Sequence, residues 1–367
     1  MSKKEALQKL KLAKNKLSKK YDLLDKDAIK NLEIVSTGSA IIDDATGVGG
    51  LATGRCYELF GLESAGKSSM MYSLAAEFQK AYPDLLVAYI DAEQACNLQY
   101  MAQFGVNVEE LEFQQPETAE EALEIINTYA ESGACSLIIL DSIAAMMTKA
   151  QLERGMDEKT IGSLAGVLSP ALTKIKTTCK KTNTTLFLIN QVRDRITAMG
   201  AMGYSTPGGH APKFYSSIRM EIKRKDIVTD SDGEAIGIEV EITFKKNKLG
   251  PPFKVIKTRI MYGLGFDFET EYVDMAIKKG IINKGGAWLD WIDSTGEKLK
   301  VQGRQNAILA VKNDPVEFEH IKALVIADKK ITDVQTLSKE EQDKIKEEEK
   351  LIIQQALADN LIVDEDE

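Results

Sequence analysis

The sequence is poor in the residues that build metal-centred and disulfide-bonded folds. Its 367 residues include two histidines and four cysteines. The cysteines stand far apart in the chain, at Cys56, Cys96, Cys135 and Cys179. We therefore expect neither a structural zinc site nor a disulfide framework. Scattered thiols without a partner predict a reduced, cytoplasmic protein.

Long apolar runs are also absent. No stretch reaches the ~20 apolar residues of a membrane helix, and the lysine-rich start MSKKEALQKLKLAKNKL has no apolar segment typical of a secretory leader. The net charge of −9 argues against a broad nucleic-acid-binding surface. The charge is uneven, however: residues 3–20 carry eight lysines and one acid, and the C-terminal end is acidic. Local basic clusters must therefore decide that question.

The order of predicted elements indicates an α/β fold. Segments typical of strands and helices alternate between residues 55 and 190, which predicts a mostly parallel sheet covered by helices on both faces. Three strand-like segments follow: FYSSIRMEIKRK, AIGIEVEITFKKNK and FKVIKTRIMYG. We expect them to extend the same sheet as antiparallel strands. Near residue 270 a small α/β segment begins.

The segment GLESAGKS matches the phosphate-loop pattern GxxxxGK[ST] and lies between a predicted strand and a predicted helix. Its glycines let backbone N–H groups surround a phosphate at a helix N-terminus. Lys67 reaches the β- and γ-phosphates, and the Ser68 hydroxyl is a ligand for Mg²⁺. The predicted ATP-binding residues here are Gly61, Leu62, Glu63, Ser64, Ala65, Gly66, Lys67, Ser68 and Ser69.

Two acids follow predicted parallel strands. Asp141 ends the apolar run CSLIILD, and beside a phosphate loop we interpret it as the acid that holds Mg²⁺ through water; a helix cap is the alternative. The next residue is Ser142 and not glutamate, so the base must come from elsewhere. Glu93, after the strand LLVAYID, is the candidate that activates the attacking water. A capping or surface role is the alternative for Glu93.

A long segment without helical or strand periodicity follows the strand TTLFLI. It reads NQVRDRITAMGAMGYSTPGGHAPKFY and starts at Asn190. A compact domain seldom carries so long a loop unless the loop has a function or is disordered. The segment is rich in glycine and methionine and mildly basic.

Taken together and in this order, GLESAGKS, IDAEQA, LIILDSIAAM, NQVRDRI, GGHAPKFYSSIRMEIKR and KKNKLGPPFK resemble the bacterial RecA family of recombination ATPases. The resemblance covers roughly residues 30 to 325, and a phage-encoded member is as compatible as a bacterial one. It implies a P-loop ATPase core that uses ATP and Mg²⁺. It also implies that the glutamate at Glu93 is catalytic.

The resemblance assigns further nucleotide roles. Gln191 matches the glutamine that senses the γ-phosphate. Tyr100 and Asn97 match the positions beside adenine, although the family has aspartate at the second, and Tyr262 matches another residue on the nucleotide side. Lys246 and Lys248 match lysines that reach the ATP of a neighbouring subunit. Phe214 matches a residue of the subunit interface; a core aromatic is the alternative for it and for Tyr100.

The long loop matches the second DNA-binding loop of the family, and LERGMDEK matches the first. Such loops contact the backbone and the gaps between bases, which makes binding tolerant of sequence. Gly166 and Thr173 stand where the family has arginines, which weakens one expected DNA contact. The predicted DNA-binding residues are Arg154, Gly155, Met156, Ser169, Arg193, Arg195, Ile196, Met199, Gly208, Gly209 and His210.

The predicted organisation has four parts: an N-terminal helical arm (1–32), the ATPase core (33–268), a small α/β domain (269–337), and a charged helix with an acidic tail (338–367). The arm either packs on its own chain or docks on a neighbouring subunit. The predicted function is ATP-dependent strand exchange by helical filaments on single-stranded DNA, with homologous duplex, single-strand-binding proteins and loader proteins as partners. A ring helicase or a regulatory ATPase is the alternative. No membrane partner is expected.

Overall fold

A computed structural model of the chain describes residues 3–18, 32–153, 163–196, 202–328, 335–336 and 343. The chain divides into two compact units, residues 1–34 and 35–367. The first unit contains helix α1 (Lys3–Ser18), in which Leu10 and Leu12 are exposed. The predicted charged helix and acidic tail lie outside the described residues, apart from Asp343. Within the described residues, no helix has the length and apolar character needed to span a bilayer.

The second unit is built on a large mixed sheet. The sheet strands are β3 (Cys56–Gly61), β4 (Leu86–Asp91), β5 (Leu111–Gln114), β6 (Cys135–Asp141), β7 (Thr185–Gln191), β10 (Ile218–Thr229), β11 (Ala235–Asn247), β12 (Lys254–Met261), β13 (Gly265–Phe266) and β17 (Gln335–Thr336). They run in the order β13-β12-β11-β10-β3-β7-β6-β4-β5, with β17 paired to β12. The strands from β10 to β5 are parallel, and β11, β12 and β13 continue the sheet in antiparallel pairs.

Helices cover both faces of this sheet, as the alternating pattern predicts. One face packs against α3, and the other packs against α5 and α7, so that the central strands are buried on both sides. This burial explains why CSLIILD carries four consecutive large apolar residues, Leu137 to Leu140, in its centre. The described helices are α2 (Ala40–Thr46), α3 (Lys67–Ala81), α4 (Leu98–Gln103), α5 (Ala119–Ser132), α6 (Lys149–Leu152), α7 (Ser163–Thr182), α8 (Ala211–Tyr215), α9 (Phe268–Lys279), α10 (Arg304–Lys312) and α11 (Pro315–Ala327).

Local signals in the sequence set the ends of several helices. Thr118 accepts a hydrogen bond from the Glu121 N–H at the start of α5, and Gly133 ends that helix with φ 68°. Such a left-handed conformation is easiest for glycine, which lacks a Cβ.

The sheet topology and the helices on both faces confirm the predicted α/β fold class, with a P-loop core, a mostly parallel sheet and antiparallel additions.

Two details differ from the prediction. The loop after β7 begins with a β-hairpin, because β8 (Arg193–Ile196) pairs in antiparallel fashion with β9 (Met202–Ser205). Backbone pairing needs no apolar periodicity, so the sequence pattern missed it. The strand predicted from Phe214 begins only at Ile218, because Phe214 lies in the short helix α8, which starts with a proline in its first turn.

The remaining elements form a small layer at the C-terminal side of the second unit. Strands β14 (Asn283–Gly285), β15 (Trp288–Ile292) and β16 (Lys298–Gln302) make an antiparallel sheet that packs with α9, α10 and α11 around the buried Trp291. Two short strands, β1 (Ile34–Val35) and β2 (Leu51–Ala52), precede the large sheet. The four domain boundaries given above stay predictions.

Candidate nucleotide-binding site

The phosphate loop, residues Gly61 to Ser68, connects β3 to α3. A Cβ on Gly61 would lie 2.2 Å from the Ile222 carbonyl oxygen, and one on Gly66 would lie 2.8 Å from Ile260. Gly66 also has φ 88°, so only glycine fits both positions without a shift. Leu62, Glu63 and Ser64 at the tip are exposed, whereas Ala65 is buried and Ser69 half-buried. The tip of the loop is therefore exposed to solvent, whereas its two glycines are packed tightly against the sheet.

The Lys67 side chain folds back over this loop. Its ammonium donates hydrogen bonds to the carbonyl oxygens of Gly61 (3.2 Å) and Leu62 (2.7 Å). Burial lowers the pKa of the ammonium, and the carboxylates of Asp141, Glu93 and Glu63 oppose that shift. The loop therefore carries a buried cation surrounded by acids at a helix N-terminus.

Ser68 and Asp141 are brought together, as predicted. The Ser68 hydroxyl donates to Oδ2 of Asp141 at 2.8 Å, and the Tyr89 hydroxyl donates to the same oxygen at 2.6 Å. Burial raises the pKa of the Asp141 carboxyl to about 6, and these two hydrogen bonds act in the opposite direction. Hydroxyl and carboxylate oxygens are the donors that Mg²⁺ prefers.

Glu93 lies at the same edge of the sheet, in a network of its own. Its Oε1 accepts hydrogen bonds from the Ser142 hydroxyl (2.7 Å) and from Nε2 of Gln191 (2.8 Å). The preceding acid, Asp91, is buried and accepts bonds from the Cys96 N–H and the Gln115 amide. Asp91 therefore shapes the turn, and the exposed Glu93 is the acid presented to solvent. We call this edge, where β3, β4, β6 and β7 end, the carboxyl edge.

The predicted adenine residues lie beside α4. Asn97 caps this helix by accepting a hydrogen bond from the Tyr100 N–H, and the Tyr100 ring packs on Phe104 with centroids 5.1 Å apart. Tyr262 is half-exposed on the turn after β12. A Cβ on the neighbouring Gly263 would lie 2.5 Å from the Gln103 side chain, so this turn touches α4. The structure thus brings the helix of Tyr100 and the turn of Tyr262 together.

Lys246 and Lys248 lie at the opposite edge of the sheet. In the strand register, Lys246 on β11 lies opposite Arg219 on β10. The Lys248 N–H donates to the Ser217 carbonyl, and the Ser217 N–H donates to the carbonyl of Cys56, at the start of β3. Cys56 precedes Gly61 by five residues, which corresponds to about 16 Å along a strand. We call this side the amino edge. Neither lysine approaches the phosphate loop of its own chain.

Comparison with known proteins gives the family. The sequence model of the RecA N-terminal domain matches residues 4–267. Protein RecA of Desulforapulum autotrophicum is 40% identical over 297 residues, which are 81% of this chain and 84% of that protein. The chain belongs to the RecA family. Protein RecA of Delftia acidovorans is 42% identical over 281 residues, 77% of this chain and 75% of that protein. Among solved structures, the crystal structure of the RadB recombinase aligns with a TM-score of 0.47 and 20% identity, over 64% of this chain and 98% of that one.

Some of the predicted DNA-binding residues of this RecA-family chain lie outside the described residues: Arg154, Gly155, Met156 and Met199. The structure describes the others. Strand β8 contains Arg193, Arg195 and Ile196. Gly208 and Gly209 pack tightly on α7, because a Cβ on either would lie within 3 Å of Leu168 or Ala165. Ser169 is exposed on α7, and the His210 ring lies 6.3 Å from the ring of Phe214. Their role in DNA binding stays a prediction.

A buried polar network connects the end of this loop to the sheet. The Asn190 amide donates to the Pro207 carbonyl (3.1 Å) and to Glu58 (3.2 Å). Glu58 in turn forms an ion pair with Arg219, whose guanidinium lies 4.6 Å from the Phe60 ring centroid. Asn190 directly precedes Gln191, so one network touches both the loop end and the Glu93 partner.

Three contacts were not predicted from the sequence. They are the hydrogen bond from Tyr89 to Asp141, the hydrogen bond from Ser142 to Glu93, and the network of Asn190, Glu58 and Arg219. Tyr89 offered one signal: a tyrosine hydroxyl in the buried part of a strand must find an acceptor. The partner of Ser142 could not be identified without knowing which strand ends adjoin. Glu58 and Arg219 meet across β3 and β10, which are far apart in sequence.

Proposed function

We propose that this chain is an ATP-dependent recombinase that assembles as a helical filament on single-stranded DNA, pairs it with homologous duplex and exchanges strands. The observation that carries the proposal is the division of the site. In a RecA-family chain, the acids and the phosphate loop lie at the carboxyl edge, whereas Lys246 and Lys248 lie at the amino edge. A second copy would complete the site.

Binding of ATP would use the phosphate loop and its lysine. Backbone N–H groups of the loop meet the phosphates at the start of α3, and Lys67 exchanges its carbonyl contacts for phosphate oxygens. Ser68 and Asp141 would hold Mg²⁺, directly and through water, and the remaining positions would go to phosphates and water, as is usual for this cation. Bound there, Mg²⁺ would neutralise negative charge on the phosphates. Tyr100, Asn97 and Tyr262 would contact the base.

Hydrolysis would depend on Glu93. Its carboxylate orients the attacking water and takes its proton. The Ser142 hydroxyl and the Gln191 amide hold the carboxylate in place through one oxygen, which leaves Oε2 for the water. Lys248 and Lys246 of the next subunit would add positive charge at the transferring phosphoryl group. Lys248 is exposed, which is compatible with that use.

Assembly and DNA binding complete the proposal. A head-to-tail contact that does not close gives an open helical filament. The exposed leucines of α1 and the half-exposed Phe214 are the surfaces proposed for this contact. The two predicted loops would meet single-stranded DNA, with arginines on its phosphates and Met156, Met199 and Ile196 between bases. Single-strand-binding and loader proteins, and a part in the response to DNA damage, belong to the same proposal.

Three measurements on the purified chain test the proposal. ATP hydrolysis should rise when single-stranded DNA is added, electron microscopy with a non-hydrolysable ATP analogue should show open filaments, and circular single strands with linear duplex should give joint molecules. Closed rings would favour a helicase. Hydrolysis that ignores DNA, together with no assembly, would favour a regulatory ATPase.

A further inference from the structure

The Tyr89 hydroxyl contacts Asp141, one of the two predicted metal ligands, from a buried side of the sheet. Strands β4 and β6 are parallel neighbours, with Tyr89 level with Ile139. Side chains two residues apart on a strand share a face, so Tyr89, Ile139 and Asp141 all point toward α3. The tyrosine is long enough for its hydroxyl to reach the end of the strand, where it donates to Oδ2 of Asp141 at 2.6 Å.

Packing fixes this hydroxyl in space. Tyr89 is fully buried. Its ring stacks on Phe113 with an interplanar angle of 14°, and the Tyr72 ring lies 5.8 Å from it on another side. A ring held by two aromatic neighbours cannot swing away without opening the core. The donor is therefore rigid, and the carboxylate it holds is rigid with it.

The pattern of hydrogen bonds leaves defined sites for a cation. Both hydroxyls donate to Oδ2 of Asp141, and no described residue donates to Oδ1. A hydroxyl has one donor and two acceptor lone pairs. Because Ser68 gives its proton to Asp141, its lone pairs are available to Mg²⁺. Oδ1 of Asp141 is likewise available to a water bound to the cation.

We propose that Tyr89 is a positioning residue of the Mg²⁺–nucleotide site, whose hydroxyl fixes the Asp141 carboxylate in the orientation that receives the cation. The inference rests on the proposed function of this site as an ATP site. It adds a residue outside the phosphate loop and outside the acids. Partners of metal-binding carboxylates commonly influence metal affinity in this way.

The chain offers a matched control. Tyr57 is also fully buried in the central sheet, and its hydroxyl also donates a 2.6 Å hydrogen bond, but to the Ala52 carbonyl. Tyr57→Phe and Tyr89→Phe each remove one buried hydroxyl and keep the ring. Both should lower thermal stability to a similar degree. Only Tyr89→Phe removes a donor from Asp141.

The test is a titration of a fluorescent, non-hydrolysable ATP analogue with wild type and both variants, at increasing Mg²⁺ and in EDTA. We expect Tyr89→Phe to need about tenfold more Mg²⁺ for half-maximal tight binding. Its affinity for the analogue in EDTA should match that of wild type. Tyr57→Phe should match wild type in both conditions.

Two outcomes would contradict the positioning role of Tyr89, and two others would contradict the proposed site itself. An unchanged Mg²⁺ midpoint in Tyr89→Phe would make the tyrosine an ordinary core residue. A loss of affinity that is equal with and without Mg²⁺ would make it a residue that shapes the pocket. If wild type binds the analogue equally with and without Mg²⁺, the proposed Mg²⁺ site fails; if wild type binds no analogue in either condition, the proposed ATP site fails. Mn²⁺ binding by Tyr89→Phe, measured by electron paramagnetic resonance, gives the same comparison without fluorescence.

Discussion

The two edges of the central sheet hold their polar side chains in different ways. At the carboxyl edge, side chains bind one another: Ser68 binds Asp141, and Gln191 binds Glu93, at 2.8 Å in both cases. At the amino edge, the Lys246 ammonium donates to backbone carbonyls of α8. The exposed Lys248 ammonium contacts no acid in the described part of the chain.

For the shared site proposed above, this difference indicates which half one chain assembles by itself. Acids and hydroxyls at the carboxyl edge satisfy one another before any partner arrives, so their geometry is preorganised. A lysine that points into solvent has no such constraint, and its charge is screened over about 10 Å at ordinary ionic strength. It gains effect only when another surface buries it. Catalysis by a single chain should therefore be weak.

The largest expected effect is at the carboxyl edge. Lys67→Ala removes the buried cation of the phosphate loop, so ATP hydrolysis should fall by roughly 10³-fold or more, to background. Steady-state phosphate release measures it. Lys80→Ala is the control, because Lys80 lies on the same helix with 67% of its side chain exposed and forms a surface ion pair with Glu77. Equal losses in both variants would contradict the assignment of the loop.

The next effect joins the two edges. Glu93→Gln and Lys248→Ala should each reduce hydrolysis by about 10²-fold, through lost water activation and lost charge on the phosphoryl group. Mixed on DNA, the two variants should partly recover. In a random 1:1 filament of head-to-tail contacts, about a quarter of the interfaces combine an intact Glu93 with an intact Lys248.

A second mixture is the control for this recovery. Lys67→Ala with Glu93→Gln disables the carboxyl edge in every subunit, so no interface is complete and no activity should return. Electron microscopy must first show that each pair forms joint filaments. Recovery in both mixtures, or in neither, would refute a site shared between the edges.

The carboxyl edge could largely be predicted because its residues follow a rule. Parallel strands place their ends together, and Asp141 and Glu93 stand at such an end or just after one. Ser68 belongs to the phosphate-loop pattern at the start of the next helix, and the role of Gln191 was indicated by family resemblance. The amino edge could not be derived this way. The positions of Lys246 and Lys248 depend on the pairing of β11 with β10, whose register includes bulges. Only family resemblance indicated a role for them.

Two further features depend on contacts that no local pattern encodes. Tyr89 meets Asp141 because β4 and β6 adjoin, although 52 residues separate the two side chains. The hairpin of β8 and β9 forms through backbone bonds, in a segment of glycines and methionines whose composition is typical of a loop. Sequence patterns report burial and turns well, but they do not report which strands become neighbours.

A smaller effect lies away from both edges and separates stability from catalysis. Burial raises the pKa of the Glu271 carboxyl from its ordinary 4.5 to about 7. Between these values the folded chain binds the proton and the unfolded chain does not. The free energy of unfolding should therefore fall as pH rises through this window, and the full effect is on the order of 3 kcal/mol.

Glu271→Gln should remove this dependence and leave an oxygen that accepts from Ser39 and Thr258. Relative to wild type, the variant should gain about 2 kcal/mol at pH 8 and little at pH 5. Urea denaturation at both pH values measures the difference. Glu319→Gln is the control, because its side chain is 65% exposed. A gain that is the same at both pH values would show that the carboxyl is ionised throughout.

The smallest expected effect tests the link between the predicted DNA loop and Glu93. Asn190 lies in the buried network that binds the end of the predicted DNA loop, and Gln191 beside it binds Glu93. Asn190→Ala removes the bonds to the Pro207 carbonyl and to Glu58. We expect the stimulation of hydrolysis by single-stranded DNA to fall about 5- to 10-fold, since networks of this kind carry roughly 1 kcal/mol of coupling. Hydrolysis without DNA should change less.

A control that removes the same kind of bond elsewhere makes this test specific. The Asn306 amide also donates to a backbone carbonyl, that of Gln302, but in the C-terminal layer. Asn306→Ala should keep the full DNA stimulation. The decisive quantity is the ratio of rates with and without DNA, at saturating DNA, because weak DNA binding alone would shift the midpoint and spare the ratio. If Asn190→Ala keeps the wild-type ratio, the loop and Glu93 communicate through Gln191 without this network.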